Sequence, residues 1–265
     1  MRAAVAASRH TRHRPFRSSG FQVSETELFL EELEPRHDGL RIAQISDIHV
    51  GAATSSARIQ HAITTINDGA PDLVMLTGDY VTHSPAPIPR IPSVLRGILA
   101  PTFAVLGNHD HWVDAARVSA ALGSCGYRVL RNEHHLVHVR GAPLSIIGID
   151  DGLTHHDDVE AAFAGAPTRG TRIVLAHTPP TVDKLPADAG LLQLSGHTHG
   201  GQFLVPGVTR TIFKLAGQPY VRGLYRVRGN LLYVNRGLGF GHGGPLLRFG
   251  SHPEVAFFTL RRKAR

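Results

Sequence analysis

The chain has a single cysteine, Cys125, in 265 residues. One thiol excludes a disulfide framework and any cysteine-built metal cluster, and leaves no mark of an oxidising compartment. Long apolar runs are also missing, since no stretch approaches the roughly 20 residues that a membrane-spanning helix requires. The first twenty residues, MRAAVAASRHTRHRPFRSSG, hold no acid and no apolar core of the kind a secretion signal carries. They are expected to form a flexible basic segment ahead of one domain over 21–265, and a cytoplasmic location follows as the expectation. Acids are outnumbered, 21 against 28 Lys and Arg, for a formal charge of +7. That balance suits an anionic partner. The bases are nevertheless spread along the chain and aromatic residues make up only 6%, without the interleaving that single-strand binders use, so nucleic acid is disfavoured. A solvated basic surface is the plain alternative. Peripheral contact with an anionic membrane stays open through the basic start or through GLGFGHGGPLLRFG, which sets Phe240, Leu246, Leu247 and Phe249 among glycines and basic residues.

Histidine, by contrast, is abundant, with 18 residues, and several stand at the ends of short apolar runs of strand length. LRIAQISDIH ends in Asp47 and His49, and PDLVMLTGDY in Asp79. PTFAVLGNHDHW ends in Asn108, His109 and Asp110, TRIVLAHTPP in His177, and GLLQLSGHTHGGQ in His197 and His199. One such residue is a capping acid or a surface imidazole. Five runs finishing alike point to one crevice at the strand ends, where α/β proteins place their sites. Carboxylate, imidazole and amide together form a mixed oxygen and nitrogen set without thiolate, which suits manganese, iron or zinc. Two cations about 3.5–4 Å apart need a shared anion, and Asp79 is the candidate bridge.

The blocks D-x-H at 47–49, G-D at 78–79, G-N-H-D at 107–110, His177 and G-H-x-H at 196–199 resemble the calcineurin-like metallophosphoesterase superfamily. GLRIAQISDIHVG, VLRNEHH, IIGIDD, LQLSGHTHGGQ, LLYVNRGLG and PEVAFFTL are similar to its bacterial YkuE/YaeI-like, UDP-2,3-diacylglucosamine hydrolase-like subfamily. The resemblance implies an α/β fold, a four-layer α/β/β/α sandwich with two mixed β-sheets. It implies two divalent ions, one held by Asp47, His49, Asp79 and His199 and the other by Asp79, Asn108, His177 and His197. His109 would then be the general acid, with Asp110 either orienting its ring or serving as a helix N-terminal acid. The implied activity is hydrolysis of a phosphodiester or pyrophosphate, with a lipid-linked nucleotide such as UDP-2,3-diacylglucosamine as a candidate substrate. A nuclease or nucleotide phosphodiesterase of the same superfamily, and a non-catalytic metal-binding scaffold, are the alternatives.

The remaining pattern fits that architecture. SARIQHAITTIND and HWVDAARVSAAL read as amphipathic helices, and HSPAPIPRIP as a loop leading into one. GLYRVRGNLLYVNRGLG reads as a hairpin with a Gly-Asn turn, and EVAFFTL as a last strand. Asp150 and Asp151 read as turn residues or as groups beside the site.

Overall fold

The computed structural model describes residues 4–5, 11–14, 20–51, 54–202, 208–240 and 248–263. Its frame is a pair of seven-stranded sheets. The first runs in the order β1 (Ala4–Val5), β12 (Gly223–Val227), β13 (Asn230–Val234), β11 (Leu192–Ser195), β10 (Arg172–Ala176), β9 (Ala142–Ile149) and β8 (Glu133–Val139). The second runs β2 (Thr11–Arg14), β3 (Gln22–Leu30), β14 (Glu254–Arg262), β4 (Arg41–Ile45), β5 (Leu73–Thr77), β6 (Thr102–Val105) and β7 (Arg128–Val129). Both are mixed. Parallel pairing joins β9, β10, β11 and β13 in one and β4 to β7, and separately β3 to β14, in the other, while β8, β12, β2 and the β14–β4 junction pair antiparallel.

The central strands β4, β5, β6, β10, β11 and β13 are buried on both faces, and alternate residues divide between them. Ile42, Met75, Phe103 and Val105 point inward and meet Ile146, Ile173, Leu175, Leu194 and Tyr233 of the other sheet. Their neighbours Ala43, Val74, Leu76 and Ala104 point outward against helices. On the other side of the molecule Ile147, Val174, Leu232 and Val234 face Ala162 and Val182. Three apolar interfaces separate four layers, which is the α/β/β/α sandwich. Each fully buried Leu or Ile contributes about 1.5–3 kcal/mol by leaving water.

Among the described residues six α-helices flank or follow the strands: α1 (Ser56–Asp68), α2 (Ile91–Leu95), α3 (Asn108–Val113), α4 (Ala115–Gly123), α5 (Val159–Phe163) and α6 (Val208–Leu215). In α1, Ile59, Ala62, Ile63 and Ile66 repeat at three- and four-residue spacing and are all buried, while Ser55 caps the start by accepting from the Arg58 N–H. The stretch HWVDAARVSAAL does not form one helix. Asp114, at φ −174° and ψ 86°, interrupts it and caps α4 through the Arg117 N–H, so that α3 turns independently at the strand end.

Within the basic start, β2 pairs antiparallel with β3 and gives that edge backbone partners. The hairpin of β12 and β13 turns one residue earlier than expected, through Arg228 and Gly229, both at positive φ, with Val227 facing Asn230. Phe240 and Phe249 of the glycine-rich tail are described, whereas Leu246 and Leu247 lie outside the described residues.

Candidate metal centre

Parallel strands bring their carboxyl ends to one rim, and the candidate residues follow directly from them. Asp47 and His49 follow β4, Asp79 follows β5, Asn108 to Asp110 follow β6, His177 follows β10, and His197 and His199 follow β11. Gln44 ties the two sheets together just below this rim, donating to Thr77 Oγ1 at 2.9 Å and to the Ser195 carbonyl at 3.0 Å. Two glycines allow the rim to close. A Cβ on Gly107 would stand 2.7 Å from the Asp79 nitrogen and closer still to its Oδ1. One on Gly196 would stand 2.8 Å from Ser46 Cβ and closer still to Ser46 Oγ and Asp47 Oδ2.

Two groups of ligand atoms result, Asp47 with His49 and His199, and Asp79 with His177 and His197, each within 4.8 Å. Asp79 Oδ2 lies between them, 3.8 Å from His49 Nε2 and 3.2 Å from His177 Nε2. His199 Nε2 is 3.4 Å from Asp47 Oδ1 and 3.3 Å from His49 Nε2. Asn108 Oδ1 is 3.0 Å from His197 Nδ1. The structure thus brings all seven candidate ligands together.

Backbone carbonyls orient the rings. His49 donates from Nδ1 to Val81 O at 3.0 Å, and His177 from Nδ1 to Thr77 O at 2.7 Å, which leaves each Nε2 lone pair for the centre. His177 Nε2 is buried and faces Asp79 Oδ2 at 3.2 Å without completing a hydrogen bond to it. His199 differs, because Arg248 donates to its Nδ1 at 3.0 Å; a cation on Nε2 requires that guanidinium to move off.

Charge shapes the site as much as geometry. Burial pushes the Asp47 carboxyl up to about 6, with the Asp79 charge adding to it against the pull of His177. Burial lowers His49 to about 4 and His197 to about 3. For His177 burial also acts downward, yet Asp79 lifts it to about 10, and His177 in turn outweighs burial at Asp79 and holds that carboxyl below the usual range. Buried carboxylates here require positive charge, which a cation supplies as a proton does. An orphaned imidazole nitrogen, a carboxylate set between two ligand groups and a donor set of oxygen and nitrogen together fit divalent ions.

His109 stands beside the centre. Its backbone N–H donates to Asp79 Oδ1 at 3.0 Å, and its Nδ1 donates to Thr82 O at 2.6 Å. That bond fixes the tautomer and leaves Nε2 for a proton. His83 and Trp112, which sequence reasoning missed, pack on its ring at centroid distances of 4.9 and 4.8 Å. Asp110 does not orient His109. Its carboxylate instead accepts four backbone N–H groups, those of Asp79, Tyr80, Val81 and Gly107, at 2.8–3.2 Å. It therefore holds the loop that carries Asp79 against the start of α3. Burial and the Asp79 charge push its carboxyl up to about 7 against those donors.

Asp150 accepts from His111 Nε2 at 2.7 Å and Arg131 Nε at 2.8 Å, while Asp151 closes a turn on Thr154. The burial that would raise Asp150 is outweighed by His111 and Arg131, so its pKa is lowered. His111 and Arg248 were not singled out from the sequence. His111 follows the motif by two residues, but Arg248 reaches His199 from 49 positions away and leaves no local signal.

A four-layer sandwich with two facing ligand groups at its strand ends defines a metal-dependent hydrolase of phosphoesters. The model of the calcineurin-like phosphoesterase family matches residues 40–201, and the chain belongs to that family. It is 34% identical over 234 residues to the uncharacterized metallophosphoesterase YkuE of Bacillus subtilis, covering 84% of this chain and 80% of that one. It is 31% identical over 227 residues to the phosphodiesterase YaeI of Escherichia coli, covering 83% and 82%. With the UDP-2,3-diacylglucosamine pyrophosphatase LpxG of Chlamydia trachomatis it shares 30% over 273 residues, covering 82% of each. Among the described residues no helix is long and apolar enough to cross a membrane.

Proposed function

We propose that the protein hydrolyses a phosphodiester or pyrophosphate bond, with a lipid-linked nucleotide such as UDP-2,3-diacylglucosamine as substrate. Asp47, His49, Asp79 and His199 would hold one divalent ion and Asp79, Asn108, His177 and His197 a second, with manganese, iron and zinc suited to the set. The position of Asp79 Oδ2, 3.2 Å from His177 Nε2 and 3.8 Å from His49 Nε2, carries this reading. When bound, two such ions supply charge neutralisation at the phosphoryl group and a water acidic enough to attack phosphorus near neutral pH. The chain's own part is positional. Thr82 O holds His109 so that Nε2 delivers a proton to the departing oxygen, and Asp110 fixes the Asp79 loop. The LpxG likeness supports the lipid-linked pyrophosphate, for which water addition releases UMP and a lipid phosphate.

Metal-depleted protein resupplied with manganese, iron, zinc or magnesium tests the proposal on p-nitrophenyl phosphate, bis-p-nitrophenyl phosphate and UDP-2,3-diacylglucosamine. Metal-dependent release of UMP from the lipid, faster than monoester cleavage, is expected. Monoester cleavage alone would overturn the substrate class, and no turnover with any metal would overturn the enzyme.

A further inference from the structure

Helix α6 turns its apolar stripe outward. Val208, Ile212 and Leu215 stand at i, i+4 and i+7, one face of a helix, and are 51%, 58% and 84% exposed. The side that holds α6 to the body is the other one, where Thr209 is buried and Phe213 half-buried. A globular helix normally does the reverse, and three large apolar side chains aligned in water indicate a surface made to be covered.

The position of the stripe is as informative as its composition. α6 packs against the turn His199–Gly201, which carries a candidate metal ligand. Beside the same turn the Phe249 N–H donates to Gln202 O at 2.9 Å, and the Phe249 side chain is 68% exposed. Exposed cations stand beside them. Between Asp188 and Glu254 the sequence contains no Asp or Glu. Lys214 lies on α6 itself, and Arg222 donates from its guanidinium to Gly250 O, next to Phe249; both side chains are exposed. An apolar stripe within an acid-free basic stretch matches the interface of an anionic bilayer, where the stripe enters the acyl boundary and the cations meet lipid phosphates. A second copy of this chain would set like charges against each other.

We propose that α6, flanked by Phe249, docks the protein on an anionic lipid bilayer and so places the metal centre at the membrane surface. This extends the functional reading, and rests on it only in that a lipid-linked substrate would reach the site from the bilayer. The full chain is sedimented with vesicles of phosphatidylcholine alone and of phosphatidylcholine with phosphatidylglycerol. Wild type should partition onto the anionic vesicles and be released as salt shortens the Debye length from about 30 Å at 0.01 M to about 3 Å at 1 M. Ile212→Glu and Leu215→Glu should each bind about ten-fold less, the loss expected when one large apolar side chain stays in water. Both variants should keep wild-type melting behaviour and wild-type cleavage of soluble bis-p-nitrophenyl phosphate. Failure of wild type to sediment with anionic vesicles, equal partition onto neutral ones, or wild-type binding by both variants would each overturn the proposal. So would a dimer that the two substitutions dissociate, since a second copy would then cover the stripe. Binding that follows this pattern in a protein without phosphoesterase activity would retain the docking surface and remove the functional reading.

Discussion

Gly107→Ala tests how tightly the metal centre depends on close backbone approach. Gly107 sits at φ −110° and ψ 176°, extended backbone open to any residue, so the substitution adds no conformational strain. Its effect is steric. The new Cβ would lie 2.7 Å from the Asp79 nitrogen and closer to Oδ1, so the Asp79 backbone or the start of α3 must retreat by at least about 0.7 Å, and the Asp79 carboxylate by more, to regain ordinary contact. That exceeds the roughly 0.5 Å within which a binding constellation has to be held. Overpacking should cost about 1–3 kcal/mol and lower the melting temperature by about 2–12 °C. Metal affinity should fall about 10- to 100-fold, the range seen when supporting residues of a metal site are disturbed. Gly123→Ala is the control: nothing lies within 4 Å of a Cβ at that end of α4, and alanine there should be neutral or stabilise by up to about 1 kcal/mol. Elemental analysis, thermal unfolding and diester hydrolysis on both variants decide the matter. If Gly107→Ala keeps two equivalents of metal and wild-type turnover, the argument that Gly107 exists to admit Asp79 is wrong.

Asp79→Ala should lose the metal pair or keep at most one weakly held ion, because both sites share its charge; two retained equivalents with intact activity would refute the bridge. His109→Ala should leave metal content unchanged and cut turnover by about 10²- to 10⁴-fold on a poor leaving group, less on p-nitrophenyl esters. Near-normal rates on both would remove its role as acid. Glu254 is buried, which would raise its pKa, but Arg236 holds it below the ordinary 4.5, so its contribution is present above that value and is lost as pH falls through the lower folded value. Glu254→Gln should therefore cost about 3–5 kcal/mol near neutral pH, with a gap to wild type that narrows as pH falls below 4.5 and on through the lower folded value, and a gap that stays constant in denaturant melts would contradict this. Manganese at about 100 times its Kd should stabilise the fold by about 2.7 kcal/mol, and a melting temperature indifferent to metal would mean that no such site is filled.

The frame was legible because its strands obey simple rules. Runs such as LVMLT and RIVLA are largely apolar and buried throughout since helices cover one face and the opposite sheet the other, and a chemical residue follows each because parallel strands share one carboxyl rim. The boundaries of α1 matched for the same reason, a regular apolar spacing between a serine cap and a glycine. Long-range backbone accounting was not legible. Asp110 reads equally as a catalytic partner or a helix-start acid until the Asp79, Tyr80 and Val81 N–H groups arrive from some 30 residues away. Nor does the sequence show which side of α6 faces the body, since an apolar stripe on paper is ordinarily an inward one. Arg228 was passed over in the hairpin because a β-turn at positive φ is expected to begin with glycine or asparagine, and here the chain accepts an arginine before Gly229.

Five candidate ligands, Asp47, His49, Asp79, His197 and His199, have left-handed backbones with φ between 48° and 71°. Each such residue costs about 1–3 kcal/mol and persists only where its surroundings enforce it. Left-handed backbone alone marks no site, since Arg140 and Arg228 adopt it in hairpin turns before a glycine. What separates the five is that strain coincides with burial and with charge, the two costs that folding ordinarily avoids together. Packing can bear the strain because the loops begin on strands locked between helices and a second sheet, with Gln44 bridging the sheets directly below. Packing cannot answer the charge. Asp47 and Asp79 are buried, and His177 gains its raised pKa by answering Asp79 first, with Asp47 and Asp151 adding to it. The sheets can thus fix the geometry without any ion, whereas the electrostatics are satisfied only by added positive charge, and that division explains how one rigid scaffold can hold metal ligands ready at the ends of its strands.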